Sequence, residues 1–194
     1  MTLVVPMPAL AELERAPLET ERLLLVPLTL SLAHEMFDAV DSSREHINRW
    51  QNFSHWRQLE HARRAIEVSL TQWQSGTDAR FAMVRRSDGR FLGGVGIEDA
   101  KGAHRCANLA YWIRADAANQ GYTTEAARTV VRWGFERVGL HRMQAVIATG
   151  NTPSVRVAVR LGFRREGTMR AAERVGECWY DAFLFGLLRQ EARP

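Results

Sequence analysis

Apolar and polar positions along the chain change period several times, and each change marks an element. Glu21 to Leu28 (ERLLLVPL) is an apolar run of strand length, followed by Thr29 as a helix N-cap. Leu32, Met36, Phe37 and Val40 then recur at i, i+4, i+5 and i+8, the spacing of a helix face. Further helices are predicted from about Ser43 to Trp50 and from about Leu59 to Gln74. The period then shortens. Phe81–Arg86 and Phe91–Glu98 flank Ser87-Asp88-Gly89-Arg90 and predict a hairpin. Asn108–Arg114 (NLAYWIR) predicts another strand. Thr123 to Val138 predicts a helix with Val130, Val131, Gly134 and Val138 along one side and Gly139 as its stop. A short strand, Met143–Ala148, precedes a helix over Ser154–Leu161 closed by Gly162. Two last strands, about Phe163–Glu173 and Trp179–Leu188, join across Val175-Gly176. The order predicts a mixed α/β (α+β) domain, with one sheet of about seven strands flanked by helices.

Composition narrows the class. The chain has 194 residues, 46% hydrophobic and 25% charged, which suits one soluble domain with a real core. No apolar run reaches the roughly 18 residues of a membrane span. Residues 1–18 read as a loosely held arm. Its opening has no basic residue before the apolar stretch and is interrupted by prolines, so it is a poor signal peptide and a cytoplasmic protein is expected. Cys106 and Cys178 are the only cysteines, which excludes a disulfide framework, and His104 beside Cys106 does not make a metal site. Charge is uneven: residues 1–97 carry −1 and residues 98–194 carry +5 of the total +4. The basic second half suits an anionic ligand, or is only a solvated basic surface. Its arginines are scattered with no run of five, which argues against nucleic acid.

Most chemistry is carried by YWIRADAANQGYTTEAARTVVRWGFERVGL. A strand ends near Arg114, a loop containing Gly121 follows, and a helix begins at Thr123. The first helical N–H groups lack chain partners and, with the helix dipole, can cradle a phosphate. Gly121 allows close approach because it has no Cβ. The cluster Gly93-Gly94-Val95-Gly96 lies inside a strand with no helix after it, so it reads as tight packing or a bulge.

Ala118-Asn119-Gln120-Gly121-Tyr122-Thr123-Thr124-Glu125-Ala126, Gly150-Asn151-Thr152-Pro153-Ser154, and Gly162-Phe163 follow in order. With ETERLLLVPLTL, REHINRW at Arg44–Trp50 and the closing Glu166-Gly167…Glu173…Tyr180-Asp181, the chain resembles the GNAT superfamily of N-acetyltransferases, in its ribosomal-protein N-terminal (RimJ/RimL-type) branch. The resemblance covers about residues 19–189 and implies a GNAT domain over 19–194 with a mostly antiparallel twisted sheet. It also implies acetyl-CoA as cosubstrate, no metal, and an amine acceptor. The phosphate loop departs from the family pattern at Ala118, Asn119 and Thr123, which removes one side-chain contact and adds bulk near the phosphates.

The resemblance assigns coenzyme A to Trp112, Ile113, Arg114, Asn119, Gln120, Gly121, Tyr122, Thr123, Thr124 and Asn151. Backbone groups of Tyr111–Arg114 meet the acetyl and pantetheine parts, with an N–H near Ile113 as oxyanion donor. Glu173 matches the carboxylate of serine-acetylating members and is the candidate base; the alternative is a solvent-facing carboxylate or a pair with Arg170 or Arg174. Ser154 is the candidate acid for the departing sulfur, or else caps its helix. Asn151 hydrogen-bonds pantetheine, or caps the same helix. Arg44, Glu45, His46 and Trp50, with Phe53 and Trp56, are candidates for the acceptor site; a solvated helix face and an apolar cluster are the alternatives.

The acceptor is a primary amine, either a protein N-terminus or a small or antibiotic amine. Polyamines are disfavoured because residues 41–60 hold no acidic surplus. A non-catalytic acyl-CoA-binding module and a nucleic-acid-binding protein are the readings from other classes. The oligomeric state stays open, a homodimer included.

Overall fold

A computed structural model describes residues 6–192. The outer ends of the expected arm and domain, 1–5 and 193–194, lie outside them. In chain order the elements are α1 (Leu10–Arg15), β1 (Leu18–Glu19), β2 (Leu23–Pro27), α2 (Ala33–Ser42), α3 (Arg44–Ile47), α4 (Leu59–Ser75), β3 (Ala79–Arg85), β4 (Phe91–Lys101) and β5 (Cys106–Ile113). Then come α5 (Tyr122–Glu136), β6 (Arg142–Ala148), α6 (Thr152–Arg160), β7 (Arg164–Val175) and β8 (Cys178–Leu188).

Alternation along the strands sorts the core onto two faces of one sheet. Leu23 and Leu25 of β2, Phe81 and Met83 of β3, and Ala107 and Leu109 of β5 pack with Trp73, Trp133, Ala126 and Val130, so α5 covers this face. On the other face Ala82 and Trp112 meet Met36, Val40, Ala62 and Ile66 of α2 and α4. The sheet has eight strands in the order β1-β2-β3-β4-β5-β6-β8-β7. That is one more than expected, because Leu18–Glu19 adds a two-residue edge too short to show as a hydrophobic pattern. β5 and β6 run parallel, and the other neighbours run antiparallel.

The opening segment is packed rather than loosely held. Leu13 is buried in the core, the Trp73 indole N–H donates to the Pro8 carbonyl at 2.9 Å, and Arg137 pairs with Glu12 at 2.6 Å. These contacts lie more than 60 residues away in sequence, where periodicity has no reach. Gly93–Gly96 is tightly packed and also borders a bulge, where the β3–β4 register slips between Met83–Gly93 and Val84–Phe91, so both expected readings hold. A Cβ on Gly93 would stand 2.2 Å from the Trp112 carbonyl, and one on Gly96 2.3 Å from that of Ala79.

One long-range anchor positions the loop before α5. The Arg22 amide and Nε donate to the two carboxylate oxygens of Glu125, at 2.8 and 2.7 Å, and Thr20 adds its hydroxyl. Arg22 also donates to the Gln120 carbonyl at 3.0 Å and lies 4.3 Å over the Tyr122 ring. The anchor thus ties the start of β2 to the first turn of α5. Burial pushes the Glu125 carboxyl up, but the bonds from Thr20 and Arg22 outweigh it and hold it below its ordinary value of 4.5. A depressed carboxyl adds stability above its unfolded pKa and loses it as pH falls through the folded one. Glu125→Gln is therefore expected to cost about 1–2 kcal/mol at pH 7. In urea titrations the gap between the two proteins should narrow as the pH drops below about 4; a gap independent of pH would rule out the charged anchor.

Candidate active site

β5 and β6 pair over a short stretch: Cys106 with Arg142, Ala107 with Met143 and Asn108 with Gln144. Beyond it each strand keeps its outer neighbour, β5 on β4 as far as Ile113–Gly93 and β6 on β8 as far as Ala148–Ala182. The sheet is split between them. The Arg114 N–H donates to the Leu92 carbonyl at 2.9 Å, on the β4 side. Alternation along a strand then turns the backbone groups of Ile113 and Tyr111 toward the split.

The loop from β5 to α5 closes the open end. Asn119 and Gly121 have φ of 60° and 84°, and α5 starts with no side-chain cap. Glu125 makes the first helical bond, to Gly121, leaving the amides of Tyr122, Thr123 and Thr124 as open first-turn donors. Left-handed residues alternating through such a loop gather successive N–H groups into an anion-binding concavity. A cavity of about 330 Å³ lies over it, lined by Asn119, Gly121–Thr124 and Tyr111–Ile113, with Arg49, Arg156 and Arg160.

A second cavity, of about 820 Å³, lies on the sheet face that α2 and α4 cover. Gly94, Gly96 and Ala110 contribute small residues to its lining, and Met36, Trp50, Phe53 and Trp112 apolar ones. Tyr111, Trp112, Asn151, Ser154 and Trp50 line both cavities. The two cavities therefore meet at the split.

Ser154 and Asn151 come from the start of α6. The Asn151 side chain accepts the Ser154 amide at 3.2 Å, so Asn151, not Ser154, caps the helix. The Ser154 hydroxyl has no partner among the described residues. The Tyr111 hydroxyl donates to the Ser154 carbonyl at 3.2 Å, lashing α6 to β5, and burial pushes this phenol up to about 12. Glu173 follows a break in the β7–β8 register between Met169 and Glu173, where Ala171 has φ 46°. Such a bulge re-aims side chains. Glu173 lines the larger cavity, burial pushes its carboxyl up, and neither Arg170 nor Arg174 pairs with it. Arg174 instead donates to the Gly176 carbonyl.

Several expected site residues are placed elsewhere. Arg114 pairs with Asp116 at 2.6 Å, and the Gln120 side chain donates to the Asp116 carbonyl. Arg44 pairs with Asp41 and donates to the Trp56 carbonyl; Glu45 pairs with Arg49 on an exposed face. None of these four side chains lines either cavity, because each has a nearer partner. His46 lines the smaller cavity rather than the acceptor side, and Trp50 lines both. Of the companions, Phe53 lines the larger cavity and Trp56 is buried in the core. Sequence reasoning missed Arg22, whose partner Glu125 is 103 residues away, and Arg156 and Arg160, whose i, i+4 spacing on α6 was a readable signal. Among the described residues no group of three or more His, Cys, Asp or Glu could hold a metal ion, and no helix is long and apolar enough to cross a membrane.

The chain is similar to known proteins. The chain is 27% identical over 172 residues to the N-acetyltransferase YoaA of Bacillus subtilis (strain 168), covering 89% of this chain and 96% of that one. The ribosomal-protein-S5-alanine acetyltransferase of Vibrio fischeri superposes with a TM-score of 0.83 at 19% identity, over 92% of this chain and all of that one. The microcin C7 self-immunity acetyltransferase MccE, solved with acetyl-CoA and AMP, superposes at 0.81 and 19% identity, over 87% and 93%. These two likenesses show the fold. Residues 22–164 match the model of the acetyltransferase (GNAT) domain, and the split sheet, the open loop amides and this match together make the chain a member of the GNAT acetyltransferase family.

Proposed function

We propose that this N-acetyltransferase moves an acetyl group from acetyl-CoA to a primary amine across the split between β5 and β6. The observation that carries the reading is the meeting of two cavities of opposite character at Tyr111, Trp112, Asn151 and Ser154. One is rimmed by open amides and arginines, the other by carboxylates.

Coenzyme A fits the first cavity. A diphosphate needs several convergent N–H donors and close backbone approach, which Asn119–Thr124 offer. Gly121 leaves its Cβ position open toward the loop, where only the Arg22 guanidinium comes within 4 Å. Arg156 and Arg160 add positive charge for the remaining phosphate. The Asn119 and Thr123 departures leave this cradle intact, because it works through backbone. Trp112, Ile113 and Asn151 would hold the pantetheine arm along the split. Of the expected contacts, Arg114 and Gln120 are not part of this proposal, since both side chains are engaged with Asp116.

Bound acetyl-CoA supplies the acetyl thioester. The chain's own residues do the rest. The Ile113 N–H, turned into the split, donates to the acetyl oxygen as negative charge builds there. Glu173 takes the proton from the acceptor nitrogen, directly or through a water. Its raised pKa brings it nearer the working pH, where a base is most effective. The Ser154 hydroxyl, free of capping duty, gives a proton to the sulfur as the carbon–sulfur bond breaks, and solvent restores it. A protein N-terminal amine as acceptor is supported by the resemblance of the chain's motifs to the ribosomal-protein branch, and a cytoplasmic setting goes with it. A small amine is the second reading, favoured by the volume of the larger cavity.

Gly121→Val places a β-branched side chain at φ 84° and fills the loop, so coenzyme A affinity should fall tenfold or more by calorimetry. Unchanged affinity would move the phosphate site elsewhere. Glu173→Gln should lower kcat by about 10²–10⁴ at pH 7 with coenzyme A affinity preserved, and the loss should shrink at high pH as the amine arrives deprotonated. Free-thiol release with an amine panel reads both variants. Near-normal turnover of the Gln variant would make Glu173 structural.

A further inference from the structure

The larger cavity extends well past the reacting centre. On β5, Asn108, Ala110 and Trp112 share one face, and Asn108 stands opposite Glu98 of β4. Four residues of strand separate Asn108 from Trp112, about 13 Å at about 3.3 Å per residue. The far end is polar. Of the charged residues lining the cavity, Glu98, Asp99 and Glu173 are carboxylates and Arg80 is the single cation. Arg80 is already committed, donating to Asp78 at 2.7 Å, Glu98 at 2.9 Å and Gln72 at 2.9 Å. The Asn108 side-chain nitrogen donates to the Asp99 carboxylate at 3.0 Å. A carboxylate only accepts, so this bond fixes the amide's orientation and leaves Oδ1 as the end still in need of a donor. That oxygen is buried and has no partner, the one such side-chain atom among the described residues. A buried acceptor without a donor costs about 1–3 kcal/mol, which a ligand donor would recover.

We propose that Asn108 Oδ1, with the Glu98 and Asp99 carboxylates beside it, receives a second hydrogen-bond donor of the acceptor, an ammonium or hydroxyl, remote from the reacting nitrogen and within about 13 Å of it. This rests on the acetyl-transfer reading above and names its substrate class: amines that carry a distal donor. The residues responsible lie on β4 and β5, outside the 41–60 window whose charge balance disfavoured polyamines. The same chemistry has two sources, a small diamine or amino alcohol, and a peptide whose first residue ends in a donor.

The test measures binding and turnover separately. Hexylamine, 6-aminohexanol and 1,6-diaminohexane, and short peptides beginning with norleucine or lysine, are titrated into the coenzyme A-loaded protein by calorimetry. Thiol release with acetyl-CoA is followed in parallel. The donor-bearing member of at least one series should bind about tenfold tighter than its methyl-ended partner. Which series shows the preference identifies the source. Asn108→Leu should reduce the preference to within about threefold. Equal affinities in both series, no binding in either, or a preference untouched in Asn108→Leu would overturn the proposal. Should that variant not fold, the paired ligands on the unmodified protein still decide it. A donor preference without thiol release would support the distal site while contradicting the acetyl-transfer reading.

Discussion

Everything at this site depends on two parallel strands that stop pairing. After Asn108 and Gln144 the ladder between β5 and β6 ends, although both strands continue with their outer neighbours. Backbone N–H and C=O groups inside a sheet demand partners. Here the demand is left for a ligand that can lie between strands like a further strand, which is what an extended amide-bearing pantetheine arm can do. The same opening joins the two faces of the sheet, so a thioester from one side and an amine from the other can meet where neither face alone would hold both.

The split needs rigid edges, and distant parts of the chain supply them. The loop at its mouth is fixed from below by Arg22 and Thr20 through Glu125, so the open amides of α5 keep their direction without a capping side chain. The other edge is fixed by Tyr111, whose hydroxyl holds the Ser154 carbonyl at the start of α6. Asn151 satisfies the Ser154 amide in the first turn of that helix and leaves the Ser154 hydroxyl free of capping. A bulge in β7 sets Glu173 against the same opening. Local irregularities, rather than regular elements, thus aim the groups proposed to react.

Much of this was legible in the residues. Long apolar runs and capping glycines marked the strands and helices from β2 onward to within a few positions, and Gly121 before an amphipathic helix marked the loop proposed to hold the diphosphate; α1 lay unread in the arm. The single missing strand, Leu18–Glu19, is too short to carry a period. Side-chain roles were less legible, since they depend on which partner is nearest. Arg114 and Arg44 suit an anionic ligand by type, yet Asp116 and Asp41 engage them within three residues. Arg22 offered no local signal, because its meaning lies in Glu125 across the fold. Asn108 carries no local signal beyond its place in a strand, because its unpaired oxygen depends on Asp99 taking the other end of the amide.

The central claim is that the backbone of the split and of the loop is what holds the cosubstrate. Amide-resolved NMR during titration with coenzyme A tests it most directly. The account predicts that the largest shifts, and the strongest slowing of amide exchange, fall on Ile113 and on Gly121–Thr124, with little change along Gly93–Gly96. Saturating coenzyme A with those amides undisturbed, or with the changes centred on β4, would contradict it.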